Sequence, residues 1–422
     1  MTFSRSSLGA GLFTALAFAS CVSAAPVCEP NNGGLTLPQG FCALVVADAV
    51  GTARHLAVAQ SGDVYVALQD DGEKGGVMAL RDTNGDGKFD VKEHFGRGSL
   101  TGIALRNGYL YVAGFNTVQR YKMTPGQLKP AGQPETVVSG LPGVQQHGDK
   151  GIAFDGKGAL YVNVGAPSNA CQSPDRRPKV KGQDPCPLLE KNGGIWKFDE
   201  NKLGQKHEDG VRFATGLRQM LAIAWEGDAL YVVMNNRDSL DTLWPGQFTA
   251  QENAERPAEP MYRAVQGSNF GWPYCFYDYG MKKFLLNPEY GGDGKATGRC
   301  TEFTPPVAAF PAHSAPVDVM FYSGSQFPAH YKNGAFIAFH GSWNRSPMPQ
   351  DGYNVTFQPF SGGKPSGAAE IFASGFAGKS PLMNPNDAVA RADGVAQAPD
   401  GSLYIAESQK GKVWRVMYRG GK

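Results

Sequence analysis

Short stretches with a two-residue period recur along this chain, and almost none has the period of a helix. Six of them share one outline, a turn followed by a strand of the form Leu-Tyr-Val-Ala. They are Val64-Tyr65-Val66-Ala67, Leu110-Tyr111-Val112-Ala113, Leu160-Tyr161-Val162-Asn163, Leu230-Tyr231-Val232-Val233, Phe336-Ile337-Ala338-Phe339 and Leu403-Tyr404-Ile405-Ala406, the fifth being the least regular. A short apolar strand precedes each turn, as in Ile103-Ala104-Leu105 and Ile152-Ala153-Phe154. One or two further strands follow most copies, as at residues 77–80 and 194–198. A period of two with almost no helical periodicity predicts an all-β protein. A unit of about four short antiparallel strands, repeated six times, predicts a six-bladed β-propeller of four-stranded antiparallel blades. Because one blade cannot bury both its faces alone, residues 25–422 are expected to form one domain, with an insertion around 238–310. A β-barrel or sandwich is the alternative arrangement of the same strands.

The first residues change the picture of where the chain works. Arg5, an apolar run from Leu8 to Ala19 and the small residues Val22-Ser23-Ala24 predict a secretory signal over residues 1–24. That run is too short to span a bilayer, and no later stretch reads as an integral membrane segment. Phe18-Ala19-Ser20-Cys21 is a poor lipoprotein box, so a periplasmic or secreted protein is expected rather than a lipid-anchored one. Of the 7 cysteines, Cys21 leaves with the signal. The others fall into neighbouring pairs, Cys28 with Cys42, Cys171 with Cys186 and Cys275 with Cys300, which in an exported chain read as disulfides. The net charge of +2 over 422 residues argues against nucleic acid or anionic lipid as a partner.

In a propeller the innermost strands line the axis, and the residues at their leading ends surround one mouth. Those residues are Arg54, Thr101, His147, Arg218, His313 or Ser314, and Arg391. A ring so rich in cations suits a polyanionic ligand, with a histidine beside it able to act as a base. A second candidate site stands apart from the mouth. Asp82-Thr83-Asn84-Gly85-Asp86-Gly87-Lys88-Phe89-Asp90-Val91-Lys92-Glu93 fits the twelve-residue calcium loop, with oxygens from Asp82, Asn84, Asp86, the Lys88 carbonyl, Asp90 and Glu93. Its flanks read as strands, so the expectation is a calcium-binding hairpin with a structural role. Residues 373–380 approach a phosphate-binding loop and 292–298 a dinucleotide fingerprint, but neither has the strand-turn-helix setting that those motifs need.

Several stretches occur in an order that resembles the soluble pyrroloquinoline-quinone-dependent glucose and sorbosone dehydrogenases. They are His147 leading into residues 160–165, Gly216-Leu217-Arg218, Asn235-Asn236-Arg237-Asp238, Phe270-Gly271-Trp272-Pro273, His340-Gly341-Ser342-Trp343-Asn344-Arg345, and Arg391 with Pro399-Asp400-Gly401. The sorbosone-type branch is the more similar. The resemblance implies oxidation of an aldose or sugar-derived aldehyde, with pyrroloquinoline quinone (PQQ) and Ca2+ as cofactors. His147 would be the general base and Arg218 would stabilise the oxyanion on the quinone. Arg54, Arg218, Arg345 and Arg391 would hold the quinone, and Asn236 and Arg237 would lend carbonyls to calcium. The chain departs from the glucose-type pattern at Gln146, Gln219 and Asp393, which leaves the quinone contacts and the sugar open. No Cys-x-x-Cys-His haem motif is present, so the electron acceptor is expected to be a separate molecule. The alternatives are a calcium-dependent lactonase-type hydrolase, which calls for axial carboxylates, and a non-catalytic carbohydrate-binding propeller.

Overall fold

In the computed structural model, residues 1–2, 26–143 and 146–420 are described. The expected signal segment therefore lies almost wholly outside the described residues. The chain forms the expected six-bladed propeller. Its innermost strands are Ala53–Val58, Leu100–Arg106, Ile152–Phe154, Gln219–Glu226, Pro316–Phe321 and Ala392–Gln397, each at the edge of its own sheet. Second and third sheets depart from four antiparallel strands. Gln205–Lys206 adds in parallel to Glu135–Ser139, and Ser268–Asn269 adds in parallel beside Val211–Thr215. The ring is closed by its own beginning, since Phe41–Ala47 pairs antiparallel with Val413–Tyr418 and completes the last blade.

The Leu-Tyr-Val-Ala outline has a direct physical reason. Side chains alternate across a strand, and each blade is covered on both faces by its neighbours. Leu110 and Val112 pack with Tyr65 of the preceding blade, whereas Tyr111 and Ala113 pack with Leu160 and Trp196 of the following one. The same division holds for Leu230 and Val232 against Tyr161, and for Tyr231 and Val233 against Ile337. The apolar core is thus a set of wedges between blades rather than one central mass. On the axis itself the inner strands meet backbone to backbone. A Cβ on Gly151 would lie 2.3 Å from the Leu221 carbonyl oxygen, and one on Gly394 would lie 2.3 Å from that of Arg54.

Five of the six inner strands break register at their leading end, between Ala53 and Leu56, Leu100 and Gly102, Gln219 and Ala222, Pro316 and Asp318, and Ala392 and Gly394. Such bulges re-aim side chains. Here they leave Arg54, Thr101 and Asp393 buried at the mouth of the axis. Because successive strands are antiparallel, the loops that follow each second strand return to this same face. Cys28–Cys42, Cys171–Cys186 and Cys275–Cys300 are disulfide-bonded, as the local pairing predicted. Of residues 238–310, Glu259–Ala264 and Ala308–Phe310 are the third and fourth strands of the fourth blade. The remainder holds two short α-helices, two 3-10 turns, the Ser268–Asn269 strand and a two-stranded hairpin. Among the described residues no helix is long and apolar enough to cross a membrane.

Candidate active site at the mouth of the propeller

His147 stands on backbone in the left-handed region, with φ +58°. It fits because its neighbour is Gly165: a Cβ there would lie 2.3 Å from the His147 carbonyl oxygen and 2.6 Å from its Cβ. Asn163, at the end of the third Leu-Tyr-Val strand, donates to the Asp149 carbonyl at 3.0 Å and accepts from Gly151 N, which ties the histidine's loop to the blade. Buried Lys150 donates to the Pro142 carbonyl at 3.2 Å and to that of Gly148. The His147 ring lies with Nδ1 2.6 Å from the Ala166 carbonyl oxygen. That oxygen only accepts, so Nδ1 carries the hydrogen and Nε2 bears a lone pair. Burial, and then the Arg218 guanidinium, pull the imidazole pKa down to about 3. The ring is neutral throughout the physiological range.

His147 shares a cavity of about 210 Å³ with Arg176, Arg218, Asp238, His313 and Asn344. Arg218 is 2% exposed. It donates to the Asn236 carbonyl at 2.7 Å and to Asp238 Oδ2 at 2.5 Å, and its buried Nε has no partner. Arg176 reaches the same carboxylate at 2.9 Å, and Asn344 Nδ2 reaches Asp238 Oδ1 at 2.9 Å. Burial alone would raise the Asp238 pKa, but the guanidinia of Arg218 and Arg176 outweigh it and hold the carboxyl well below the usual range. Glu259, on the wall of the cavity, shows the opposite balance. Burial lifts its pKa to about 8, although it accepts from Asn236 N at 2.7 Å.

Arg54 and Arg391 belong to an adjoining part of the mouth. Arg54 donates to Asp393 at 2.8 Å, and His340 Nε2 lies 3.7 Å from that carboxylate. Arg391 donates to the carbonyls of Gly341 at 3.1 Å and Pro385 at 2.9 Å and covers the Tyr353 ring. The segment from His340 to Asn344 joins both groups, since His340 faces Asp393 and Asn344 faces Asp238. Arg345 is placed differently. It donates to the carbonyls of Ala254, Ala312 and Pro349, and so fastens the rim loop instead of lining the cavity. Trp343, 60% exposed, stands on that rim.

Several of the expected calcium oxygens are otherwise engaged. The Asn236 carbonyl accepts from Arg218, and Arg237 is a buried side chain paired with Glu289 at 2.5 Å. In the hairpin loop, Asp82 accepts from Gly85 N at 2.7 Å and Gly87 N at 2.8 Å. Asn84 accepts from Asp86 N, Asp86 from Lys88 N, and Asp90 from Thr83 N. Glu93 lies in a strand and pairs with Lys129 at 3.3 Å. Among the described residues there is no group of three or more His, Cys, Asp or Glu side chains that could hold a metal ion.

A family model described as TrAA12-like matches residues 35–419. The chain belongs to that family. A pyrroloquinoline quinone-dependent pyranose dehydrogenase from Coprinopsis cinerea is 26% identical over 274 residues, which is 56% of this chain and 36% of the relative. An uncharacterized protein from Borreliella burgdorferi is 28% identical over 278 residues, 65% of this chain and 61% of the relative. The chain thus matches only part of the length of these relatives. Among solved structures, the Trichoderma reesei family AA12 protein superposes with a TM-score of 0.72 at 19% identity, covering 91% of this chain and 98% of that one. The holo pyranose dehydrogenase PQQ domain from Coprinopsis cinerea gives 0.70 at 17% identity, covering 94% and 99%. At such identities these structures share the fold.

Sequence reasoning did not single out Arg176, Asp238 or Asn344 as site residues. A signal exists for one of them, because Asp238 closes the Asn235-Asn236-Arg237-Asp238 stretch and its carboxylate is the part that faces the cavity. Arg176 sits in a loop whose path depends on the Cys171–Cys186 bridge.

Proposed function

We propose that this chain is an exported PQQ-dependent dehydrogenase that oxidises an aldose or a sugar-derived aldehyde of the glucose or sorbosone type, passing electrons to a separate acceptor. The observation that carries the reading is the neutral His147, with its free Nε2 opening on the cavity that Arg218 lines. The mouth also fits a polyanion. Arg218 Nε and Arg54 Nε are buried donors without partners, and Arg391 is in no ion pair among the described residues. Arg54, Arg218 and Arg391 would hold the quinone carboxylates and carbonyl, with Arg345 keeping the rim in place. When bound, the quinone supplies a two-electron acceptor for the hydride leaving the substrate carbon. His147 Nε2 takes the hydroxyl proton of that same carbon, leaving a C=O bond and a protonated imidazole that releases its proton to solvent. Arg218 offers positive charge where negative charge gathers on oxygen. Support for sugar as the substrate class comes from the pyranose dehydrogenase relative.

Calcium forms part of the proposal at two places. At the mouth a divalent ion would take the Asn236 carbonyl in place of Arg218, with Arg237 presenting its own carbonyl alongside. In the hairpin it would gather the oxygens of Asp82, Asn84, Asp86, Lys88, Asp90 and Glu93 in place of the loop's own amides. The test is reconstitution of the purified chain with PQQ, with and without calcium. Quinone binding would be followed by fluorescence quenching, and dye reduction with a panel of aldoses. Absence of both quinone binding and dye reduction would reject the proposal. A calcium requirement for dye reduction, abolished by chelation, would place the ion at the mouth. A rise in thermal midpoint lost in Asp82→Ala would place it in the hairpin.

A further inference from the structure

His313, also on the cavity wall, repeats the backbone geometry of His147. Its backbone too is left-handed, with φ +61°. Residues bearing a Cβ adopt that conformation at a cost, and such strain gathers where the placement of a side chain matters. Its Nε2 lies 2.6 Å from the Asn253 carbonyl oxygen, so Nε2 carries the hydrogen and Nδ1 a lone pair. Nδ1 is 3.4 Å from Asn344 Nδ2 and 3.8 Å from Asp238 Oδ1, both on the cavity wall. The Asn344 amide already donates to Asp238 at 2.9 Å, which makes 3.4 Å a weak second contact. Asn344 Oδ1 is buried with no partner at all. The cavity therefore presents one buried acceptor without a partner, Asn344 Oδ1, one served only by a long contact, His313 Nδ1, and the lone pair of His147 Nε2, against the unmet Nε donor of Arg218.

We infer that His313, seconded by Asn344, is a specificity residue. It accepts a hydrogen bond from a hydroxyl on the carbon adjoining the one whose hydroxyl faces His147, so the site selects substrates with two neighbouring O–H donors. This rests on the sugar-oxidation reading and adds which hydroxyl pattern the site recognises. An analogue without the second hydroxyl leaves Asn344 Oδ1 unpaired and His313 Nδ1 with only its long contact, and that penalty, more than the missing attraction, is what rejects it.

Two substitutions separate this role from a structural one, because they divide the functions of the ring. His313→Asn places an amide oxygen near the position of Nδ1 and gives up the tie to Asn253. His313→Gln reaches Asn253 with its amide and gives up the acceptor. The quinone-loaded full chain would be assayed for KM and kcat with D-glucose, D-galactose and their 2-deoxy counterparts. Binding of the same sugars to the chain loaded with reduced quinone would be measured by calorimetry, free of turnover. The wild type is expected to favour the parent sugars by about three- to tenfold or more in affinity. His313→Gln should bring that ratio close to one, whereas His313→Asn should retain it. An unchanged ratio in His313→Gln, or a benign Gln beside a damaging Asn, overturns the inference. Quinone binding with no preference for the parent sugars in the wild type overturns it as well, and leaves the quinone reading standing. A wild type that neither binds nor oxidises any of these sugars removes the sugar reading and this inference together.

Discussion

On the proposed function Asp238 would compete with the quinone for Arg218, and that competition sets a two-signed prediction. The change is Asp238→Asn, which keeps the shape and removes the charge. Its carboxylate lies 2.5 Å from Arg218 and 2.9 Å from Arg176, and Arg218 is 2% exposed. Taking one partner from a buried ion pair leaves the other charge uncompensated, at a cost of about 3–5 kcal/mol. The side chain of Arg176 is 30% exposed and is relieved by water, and Arg218 keeps its carbonyl partners, so the lower end, about 3 kcal/mol, is expected. Urea unfolding at neutral pH, followed by tryptophan fluorescence, should show that loss in the quinone-free protein. With the quinone held as proposed, saturating quinone should then recover more stability in the variant than in the wild type, because the Arg218 guanidinium is released to meet it. Each tenfold gain in affinity appears as about 1.4 kcal/mol of added stabilisation. The sign with pH is also fixed. A carboxyl held below its usual pKa stabilises the fold above that usual value and loses the effect as pH falls. The gap between wild type and variant should therefore close below about pH 4. A variant with an unchanged midpoint, or one that gains less from quinone than the wild type does, refutes the reasoning.

Other outcomes follow from the same geometry. His147→Ala should lower dye reduction by about 10²- to 10⁴-fold while quinone binding stays within a few-fold. An equal loss of both would mean that the ring only props the site. Because burial and Arg218 hold the imidazole at about 3, kcat/KM of the wild type should pass without a step through the ordinary histidine range near pH 6.5, and a limb there would contradict the assignment. Gly165→Ala puts a methyl group against the His147 backbone and should cost about 1–3 kcal/mol along with most turnover; a silent substitution would show that the loop has room. Glu259, raised to about 8 by burial, keeps a proton in the folded chain that the unfolded chain has already lost, so stability should fall as pH rises from about 4.5 to 8. Glu259→Gln should remove that slope and be the more stable protein at pH 8, and a Gln variant that is weaker there would reverse the sign.

The amino-acid sequence by itself determined the blade and its number. Period-two alternation in Leu110-Tyr111-Val112 is a local property, and any strand covered on both faces by identical neighbours must repeat it. Cysteine pairing was equally local, since each disulfide closes a short loop. His147 and Arg218 were legible because each sits just ahead of a recognisable inner strand. Other features were decided by the tertiary structure, because they depend on which distant charges come to rest side by side. Arg54 meets Asp393 across the ring closure, and Arg176 meets Asp238 from a disulfide-bound loop. Arg345, cationic like the rest, is turned under the rim by three carbonyls. A residue's charge is written in the sequence, but whether that charge is free or already answered is a fact of distance, and distance between blades exists only once the ring has closed.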